Sequence, residues 1–145
     1  MTDITQFPDL GARLSQKIIG AGIVVHQALG PGLLENVYEE CMAIQMKKDG
    51  LAFERQKEIP IVYDGVKLDL RYKADFIVEN ESGNLLGIEV KAGTSVDLAD
   101  FKHLKWFKEN IKLGRKNFTG IVLYTGVHLV SFGAGLWAVP ISVLF

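Results

Sequence analysis

Apolar residues recur at helical spacing over two segments near the start of the chain. Between about Leu10 and Leu29 they follow one another at intervals of three and four, which places them on one helical face. These residues are Leu14, Ile18, Ala21, Val25 and Ala28. The run Gly30-Pro31-Gly32 ends this helix, because glycine tolerates the left-handed position after a helix and proline cannot continue it. A second helix is predicted from near Leu33 to Gly50. Its inward face is predicted to comprise Leu34, Val37, Tyr38, Cys41 and Ile44.

The next part of the chain alternates in polarity and predicts two β-hairpins. Asp64-Gly65 between strand-like runs is a strong hairpin signal, and Pro60 places the first strand, about Phe53 to Val62, at a sheet edge. The second hairpin joins strands over about 67–79 and 85–92. Its predicted core face carries Tyr72, Ala74, Phe76, Val78, Leu86, Ile88, Val90 and Ala92. Its predicted charged face carries Arg71, Lys73, Asp75, Ile77, Glu89 and Lys91.

A third helix, over about Asp97 to Ile111, precedes a strand from Thr119 to Thr125. Its predicted inward residues are Leu98, Phe101, Leu104, Phe107 and Ile111. A strand, a helix and a strand in this order predict parallel pairing through a right-handed crossover. Short strands within 127–130 and 137–139 complete an α/β fold, in which helices flank a mixed β-sheet. No repeat or linker divides the chain, so we expect a single domain over residues 1–145.

Composition narrows the class of protein. A chain of 145 residues that is 48% hydrophobic can bury a core without disulfides, and its one cysteine, Cys41, fits a reducing, cytoplasmic setting. The net charge of -1 excludes a uniformly basic coat, so any affinity for phosphates must come from a local patch or from bound cations. Neither a signal peptide nor an apolar stretch long enough to span a bilayer is evident, and we therefore expect a cytoplasmic protein without a membrane partner.

The charged face of the second hairpin is the strongest chemical signal. If its loop is centred on Ser82, Asp75 lies opposite Glu89 and Lys73 lies opposite Lys91, with Cβ atoms about 4.5–5.5 Å apart. Two carboxylates at that separation repel, whereas a divalent cation such as Mg²⁺ between them would reverse the sign of the interaction. Lys91 would then stabilise negative charge on a phosphate during hydrolysis. The alternative is an ordinary solvated face of an amphipathic hairpin.

These residues also carry a family resemblance. Asp75, followed by Glu89-Val90-Lys91 on the next strand, resembles the catalytic signature of the PD-(D/E)XK nuclease superfamily. The run Gly32-Leu33-Leu34-Glu35-Asn36-Val37-Tyr38 is similar to the motif of the GxxExxY proteins, a family of that superfamily. That similarity covers about residues 10–92, while the part from Glu89 to Pro140 looks like the nuclease-like domain of certain bacterial ATPases. The resemblance implies a restriction-endonuclease-like core.

The resemblance also implies roles for individual residues. Asp75, Glu89 and the backbone carbonyl of Val90 would bind Mg²⁺ or Mn²⁺, Lys91 would assist the attacking water, and Glu35 would be a further acidic catalytic residue. The activity implied is hydrolysis of phosphodiester bonds in DNA. Glu35 has a simpler alternative role, because a carboxylate in a first helical turn stabilises the helix dipole. Tyr38 either lines the site or packs in the core, and His103 is a second site-lining candidate.

Lysines at spacings of three and four give the third helix a basic edge. With Lys73 they are the candidates for binding nucleic-acid phosphates, although a solvated rim is the simpler interpretation. They are Lys102, Lys105, Lys108 and Lys112.

Two further hypotheses stay open. Many GxxExxY relatives carry a glutamine in the third helix, where this chain reads Phe101-Lys102-His103. The second hypothesis is therefore a catalytically inactive nuclease-like module that binds nucleic acid or docks on a protein such as an ATPase partner. The third is a homodimer formed through the hydrophobic segment Trp137 to Phe145.

Overall fold

The computed structural model describes residues 12–79, 83–110, 118–133 and 135–141. The helices are α1 (Ala12–Leu29), α2 (Glu35–Lys48) and α3 (Lys102–Asn110), the last preceded by a 3₁₀ helix, Leu98–Phe101. The strands are β1 (Phe53–Tyr63), β2 (Val66–Glu79), β3 (Leu85–Val90), β4 (Phe118–Tyr124), β5 (Val130–Ser131) and β6 (Leu136–Pro140).

The strands form a mixed sheet in the order β1-β2-β3-β4-β6-β5. Strand β4 is parallel to β3 and to β6, and the other neighbours are antiparallel. This confirms the predicted α/β class, the parallel crossover through α3 and the edge position of β1. Pairing of Phe76 with Ile88 through Glu79 with Leu85 also confirms the register predicted from a loop centred on Ser82.

The central part of the sheet is buried on both faces. Helices α1 and α2 cover one face, where Phe76 and Ile88 are fully buried, and α3 covers the other face, where Ile77 packs with Leu104. All seven residues of β4 are buried. The prediction that the second hairpin has one core face and one charged face was therefore wrong for its inner half. Parallel crossovers place helices on both faces of a sheet, so its central strands are apolar on both sides.

Near Asp75, the side chains of β2 stop alternating regularly between the two faces of the sheet. Phe76 and Val78 pack beneath α1 and α2, whereas Ala74 packs in the cluster around α3 and the Tyr72 ring contacts rings on that helix. The prediction that these four residues share one face was wrong. Gln56, which the register places opposite Asp75 on β1, has a φ of +53°, and this left-handed residue interrupts the regular pleat.

The inward faces of the helices match the predictions in part. In α1 the residues Ile18, Ala21 and Val25 are buried as predicted, whereas Ala28 is exposed. Helix α2 buries Tyr38 as predicted, together with Met42 and Met46, which were not predicted. Cys41 of α2 is half-buried. The predicted inward residues Leu34, Val37, Ile44 and Leu98 are exposed, and Ile111 lies outside the described residues. Helix α2 carries two apolar stripes, and spacing alone cannot choose between them. No helix in the described part of the chain is long and apolar enough to cross a membrane.

Gly87 of β3 lies at a tightly packed position between β4 and α3. A Cβ at this position would lie 2.6 Å from Cζ of Phe118 and 2.9 Å from Cδ2 of Leu104. We expect Gly87→Ala to lower the free energy of unfolding by about 1–3 kcal/mol in urea denaturation, because the filled core has to shift.

The matched control for this substitution is Gly20→Ala in α1. Nothing lies within 4 Å of a Cβ added there, so the variant should keep or raise the free energy of unfolding. Equal destabilisation by the two substitutions would contradict the packing argument.

Candidate active site

Two carboxylates lie side by side where β2 and β3 diverge. Asp75 directly precedes Phe76, the first β2 residue that pairs with β3, and the backbone N–H of Val90 donates to the Oδ2 of Asp75 at 2.8 Å. The side-chain amide of Gln56 donates to Oδ1 of Asp75 at 3.3 Å. The neighbouring Glu89 side chain is only 20% exposed, and its Oε1 has no hydrogen-bond partner among the described residues. Asp75 is therefore fixed by two donors, while Glu89 keeps a buried oxygen free.

Burial and mutual repulsion perturb the titration of both carboxyls. Burial is the main cause that raises the pKa of Glu89 to about 9, followed by the negative charge of Asp75 and the hydrogen bond between the two side chains. Burial also raises the pKa of Asp75, although the hydrogen bond from Val90 opposes this increase. Without a cation, Glu89 therefore keeps its proton near neutral pH. The repulsion expected from the sequence is present in the fold.

Helix α2 brings two further carboxylates to the same region. Oε1 of Glu35 accepts a hydrogen bond from the backbone N–H of Ala92 at 3.3 Å, so this residue lies at the carboxyl end of β3. Oε1 of Glu39 accepts from Nε of Arg55 at 3.2 Å and from the side-chain amide of Gln56. Both glutamates raise the pKa of Glu89 through their charge. Glu39 was not predicted as a site residue, although its spacing of four from Glu35 places both on one helical face.

The spacing of Gly32, Glu35 and Tyr38 has a structural explanation. Gly32 has a φ of +86°, which a residue with a side chain rarely adopts. The Tyr38 ring is 2% exposed, and its hydroxyl donates to the carbonyl of Gly30 and accepts from the N–H of Leu33 at 3.3 Å. Tyr38 thus fixes the loop from which α2 begins, and Glu35 is the first residue of that helix. The structure places Tyr38 in the core.

Lys91 leaves β3 beside the carboxylates but pairs elsewhere. Its Nζ lies 2.7 Å from Oδ2 of Asp100, a residue that sequence analysis missed. Lys73, which the predicted register places opposite Lys91, lies 3.5 Å from a carboxylate oxygen of Glu58. The two ammonium groups therefore each have a carboxylate partner. Burial acts to raise the pKa of Asp100, but its hydrogen bond and ion pair with Lys91 hold that pKa below its usual value.

Helix α3 forms another side of the site. Nδ1 of His103 lies 2.9 Å from the carbonyl oxygen of Lys73 and 4.0 Å from Oε1 of Glu89. Because a carbonyl oxygen only accepts hydrogen bonds, Nδ1 is the ring nitrogen that carries the proton. The ammonium of Lys102 lies 5.7 Å from the centre of the Tyr72 ring. Lys102 and Lys105 are exposed, Lys108 is half-buried, and Lys112 lies outside the described residues.

The donor set fits a hard divalent cation. Mg²⁺ prefers oxygen ligands and is commonly held by one or two carboxylates, and Glu89 offers a buried oxygen without a partner. The hydrogen bond from Val90 to Asp75 also brings the Val90 backbone to the carboxylate pair. Within the described ranges, no three His, Cys, Asp or Glu side chains form a ready-made metal cluster. A cation here would therefore take its other ligands from backbone or water oxygens.

The raised pKa of Glu89 predicts how stability depends on pH. Between the ordinary value of 4.5 and about 9, the folded protein retains a proton that the unfolded chain has lost. The free energy of unfolding should therefore fall as pH rises through this window, and the contribution should vanish below it, where both states are protonated. Urea denaturation in EDTA should show the Glu89→Gln variant gaining stability over the wild type as pH rises. Parallel pH profiles of the two proteins would contradict this prediction.

Comparison with known proteins gives a match at the level of a superfamily. The family model of the PD-(D/E)XK nuclease superfamily matches residues 12–114, which include Glu35, Asp75, Glu89 and Lys91. A search of curated proteins found no significant match. The mixed sheet flanked by helices is consistent with a restriction-endonuclease-like fold. Since the matched segment covers more than half of the chain, this protein belongs to the PD-(D/E)XK nuclease superfamily.

Proposed function

We propose that this protein is a divalent-metal-dependent nuclease that hydrolyses phosphodiester bonds in DNA. The observation that carries the proposal is the pair of adjacent carboxylates, Asp75 and Glu89, with an unpartnered oxygen on Glu89. Lys91 follows two residues after Glu89, and superfamily members generally use divalent metals. A buried acidic pair is costly for a protein that binds no cation, so the site makes chemical sense as a metal centre.

Each residue has a distinct role in this proposal. Asp75, Glu89 and the backbone carbonyl of Val90 would hold Mg²⁺ or Mn²⁺, which would supply a Lewis acid and lower the pKa of a bound water. Gln56 and the N–H of Val90 keep Asp75 oriented. Lys91 stabilises the negative charge that develops on the phosphate, or orients the attacking water. Glu35 provides a further carboxylate at the carboxyl end of β3.

The basic residues of α3 support nucleic acid as the substrate. The chain as a whole has a net charge of -1, so contacts with phosphates have to be local. Lys102 and Lys105 are exposed on the helix that also places His103 near Glu89. A strand bound along this helix would therefore run beside the carboxylate pair. Lys73 and Lys108 are proposed as further phosphate contacts.

The arrangement of Gly32, Glu35 and Tyr38 supports placing the chain in the GxxExxY family. The motif residues are the ones that turn the loop, present an acidic group and fix the loop to the core. Similarity to the nuclease-like domains of bacterial ATPases, and with it an ATPase partner, stays a prediction.

Part of the segment predicted to form a homodimer interface is buried within the chain. Residues 138–141 are buried within the chain itself, so this part of the predicted interface is not exposed, and 142–145 lie outside the described residues. The second candidate function is a nuclease-like module without turnover. The observation in its favour is that no cluster of three metal-ligating side chains is formed within the described residues.

The first test is cleavage by the wild type and by the Asp75→Asn variant. The panel comprises linear duplex, single-stranded and branched DNA and RNA, each with Mg²⁺, Mn²⁺ or EDTA. We expect metal-dependent cleavage of DNA by the wild type, and at least about a 100-fold loss in Asp75→Asn, because a proposed metal ligand is removed while the shape is kept.

Asp64→Asn is the matched control, since it makes the same substitution in the turn between β1 and β2. That turn lies roughly 30 Å along β2 from Asp75. The control should cleave like the wild type. Undiminished cleavage by Asp75→Asn would refute the proposed site.

Metal binding can be tested without catalysis. At 100 times its dissociation constant, Mg²⁺ should add about 2.7 kcal/mol to the free energy of unfolding, because it binds only the folded state. Urea denaturation with and without Mg²⁺ or Mn²⁺ measures this gain, which Asp75→Asn and Glu89→Gln should lose. A folded wild type that neither ion stabilises would favour the module without turnover.

A further inference from the structure

Lys91 is held at its backbone and at its ammonium group. Its backbone N–H donates to the carbonyl of Leu123 at 2.8 Å, which fixes the start of the side chain against the end of β4. Its stem passes close to Gly93, where an added Cβ would lie 3.3 Å from Cε of Lys91. Its Nζ ends 2.7 Å from Oδ2 of Asp100. A flexible lysine is thus confined to one position.

Asp100 is itself a fixed anchor. The Oδ2 atom that binds Lys91 also accepts the backbone N–H of Asp97 at 2.9 Å. The Asp97 side chain in turn accepts from the N–H of Ala99 at 3.0 Å, which completes a capping box at the start of the 3₁₀ helix. The next residue, Phe101, is 1% exposed in the core. The anchor therefore belongs to a capped helix start that is tied to the core.

The position of Asp100 determines which carboxylate pairs with Lys91. The lysine stem is flexible, and Asp75 and Glu89 lie on the adjoining part of the sheet. An unanchored ammonium would pair with those carboxylates and compete with a cation for them. With Asp100 in place, the ammonium pairs with Asp100 and does not neutralise the acidic pair.

Resting on the nuclease function proposed above, we propose that Asp100 is a positioning residue of this site. It holds the ammonium of Lys91 in the position required for catalysis. It also prevents Lys91 from forming an ion pair with Asp75 or Glu89.

The direct test is the cleavage rate of Asp100→Asn. This substitution keeps the shape of the side chain and an oxygen that can accept the Asp97 N–H, but it removes the charge that binds Lys91. We expect kcat at saturating Mg²⁺ to fall by about 10–100-fold, because a misplaced catalytic group costs rate. The KM for DNA should stay unchanged, since Asp100 is not proposed to contact substrate. Asp100→Glu, which restores the charge, should recover part of kcat.

Asp97→Ala separates positioning from a merely structural role. It removes the side-chain cap of the same 3₁₀ helix without touching Lys91. We expect this variant to have a lower denaturation midpoint than the wild type but a much smaller loss of kcat than Asp100→Asn, because the Lys91–Asp100 ion pair and the Asp97 backbone N–H remain. An equal loss of kcat in Asp97→Ala and Asp100→Asn would overturn the proposal, because it would trace the effect to the helix start.

A denaturation cycle tests the pair without activity. Asp100→Asn should lower the urea midpoint of the wild type and leave that of Lys91→Met unchanged. Equal shifts in both backgrounds would overturn the proposal. An active wild type with full kcat in Asp100→Asn would overturn this inference alone. A folded wild type that cleaves nothing would overturn the nuclease function, and this inference with it.

Discussion

The repulsion between the carboxyl groups of Asp75 and Glu89 is the constraint on which the rest of the site depends. Asp75 receives hydrogen bonds from Gln56 and from the backbone of Val90, while Glu89 has an oxygen with no partner among the described residues. The positively charged catalytic candidate Lys91 pairs with Asp100 instead. The negative potential of the pair is therefore left for a cation, and a hard divalent ion satisfies it best.

The packing of the sheet produces this electrostatic situation. Gly87 and Gly120 have no side chains, and Leu104 of α3 packs where their Cβ atoms would lie. Because α3 packs closely on the sheet, Nδ1 of His103 lies 4.0 Å from Oε1 of Glu89, and the Glu89 side chain is only 20% exposed. Burial in turn is the largest cause of the raised pKa of Glu89. The glycines in the middle of β3 and β4 thus permit the close packing of α3 that raises the pKa of Glu89 at the end of β3.

The parts of the site that follow from local rules could be predicted from the sequence. Turn position and alternation fixed the register of β2 and β3, and with it the neighbourhood of Asp75 and Glu89. Contacts that depend on three-dimensional packing could not be predicted. The pairing of Asp100 with Lys91 has no sequence signal, because periodicity predicts the helix that contains Asp100 but not what its side chain contacts. The left-handed φ of Gln56 has no sequence signal either, and burial of both faces at the centre of the sheet depends on where α3 docks.

The same arrangement links stability to the proposed activity. Without a metal ion, Glu89 keeps a proton near neutral pH, because burial first and the negative charge of Asp75 second raise its pKa to about 9. A cation that binds between the carboxylates must displace this proton, so metal binding releases protons and strengthens as pH rises toward the pKa of Glu89. The folded state loses stability over the same pH range in which its affinity for the cation increases. In the proposed metal centre, the burial and repulsion that disfavour two charges in the metal-free protein would therefore favour a bound cation.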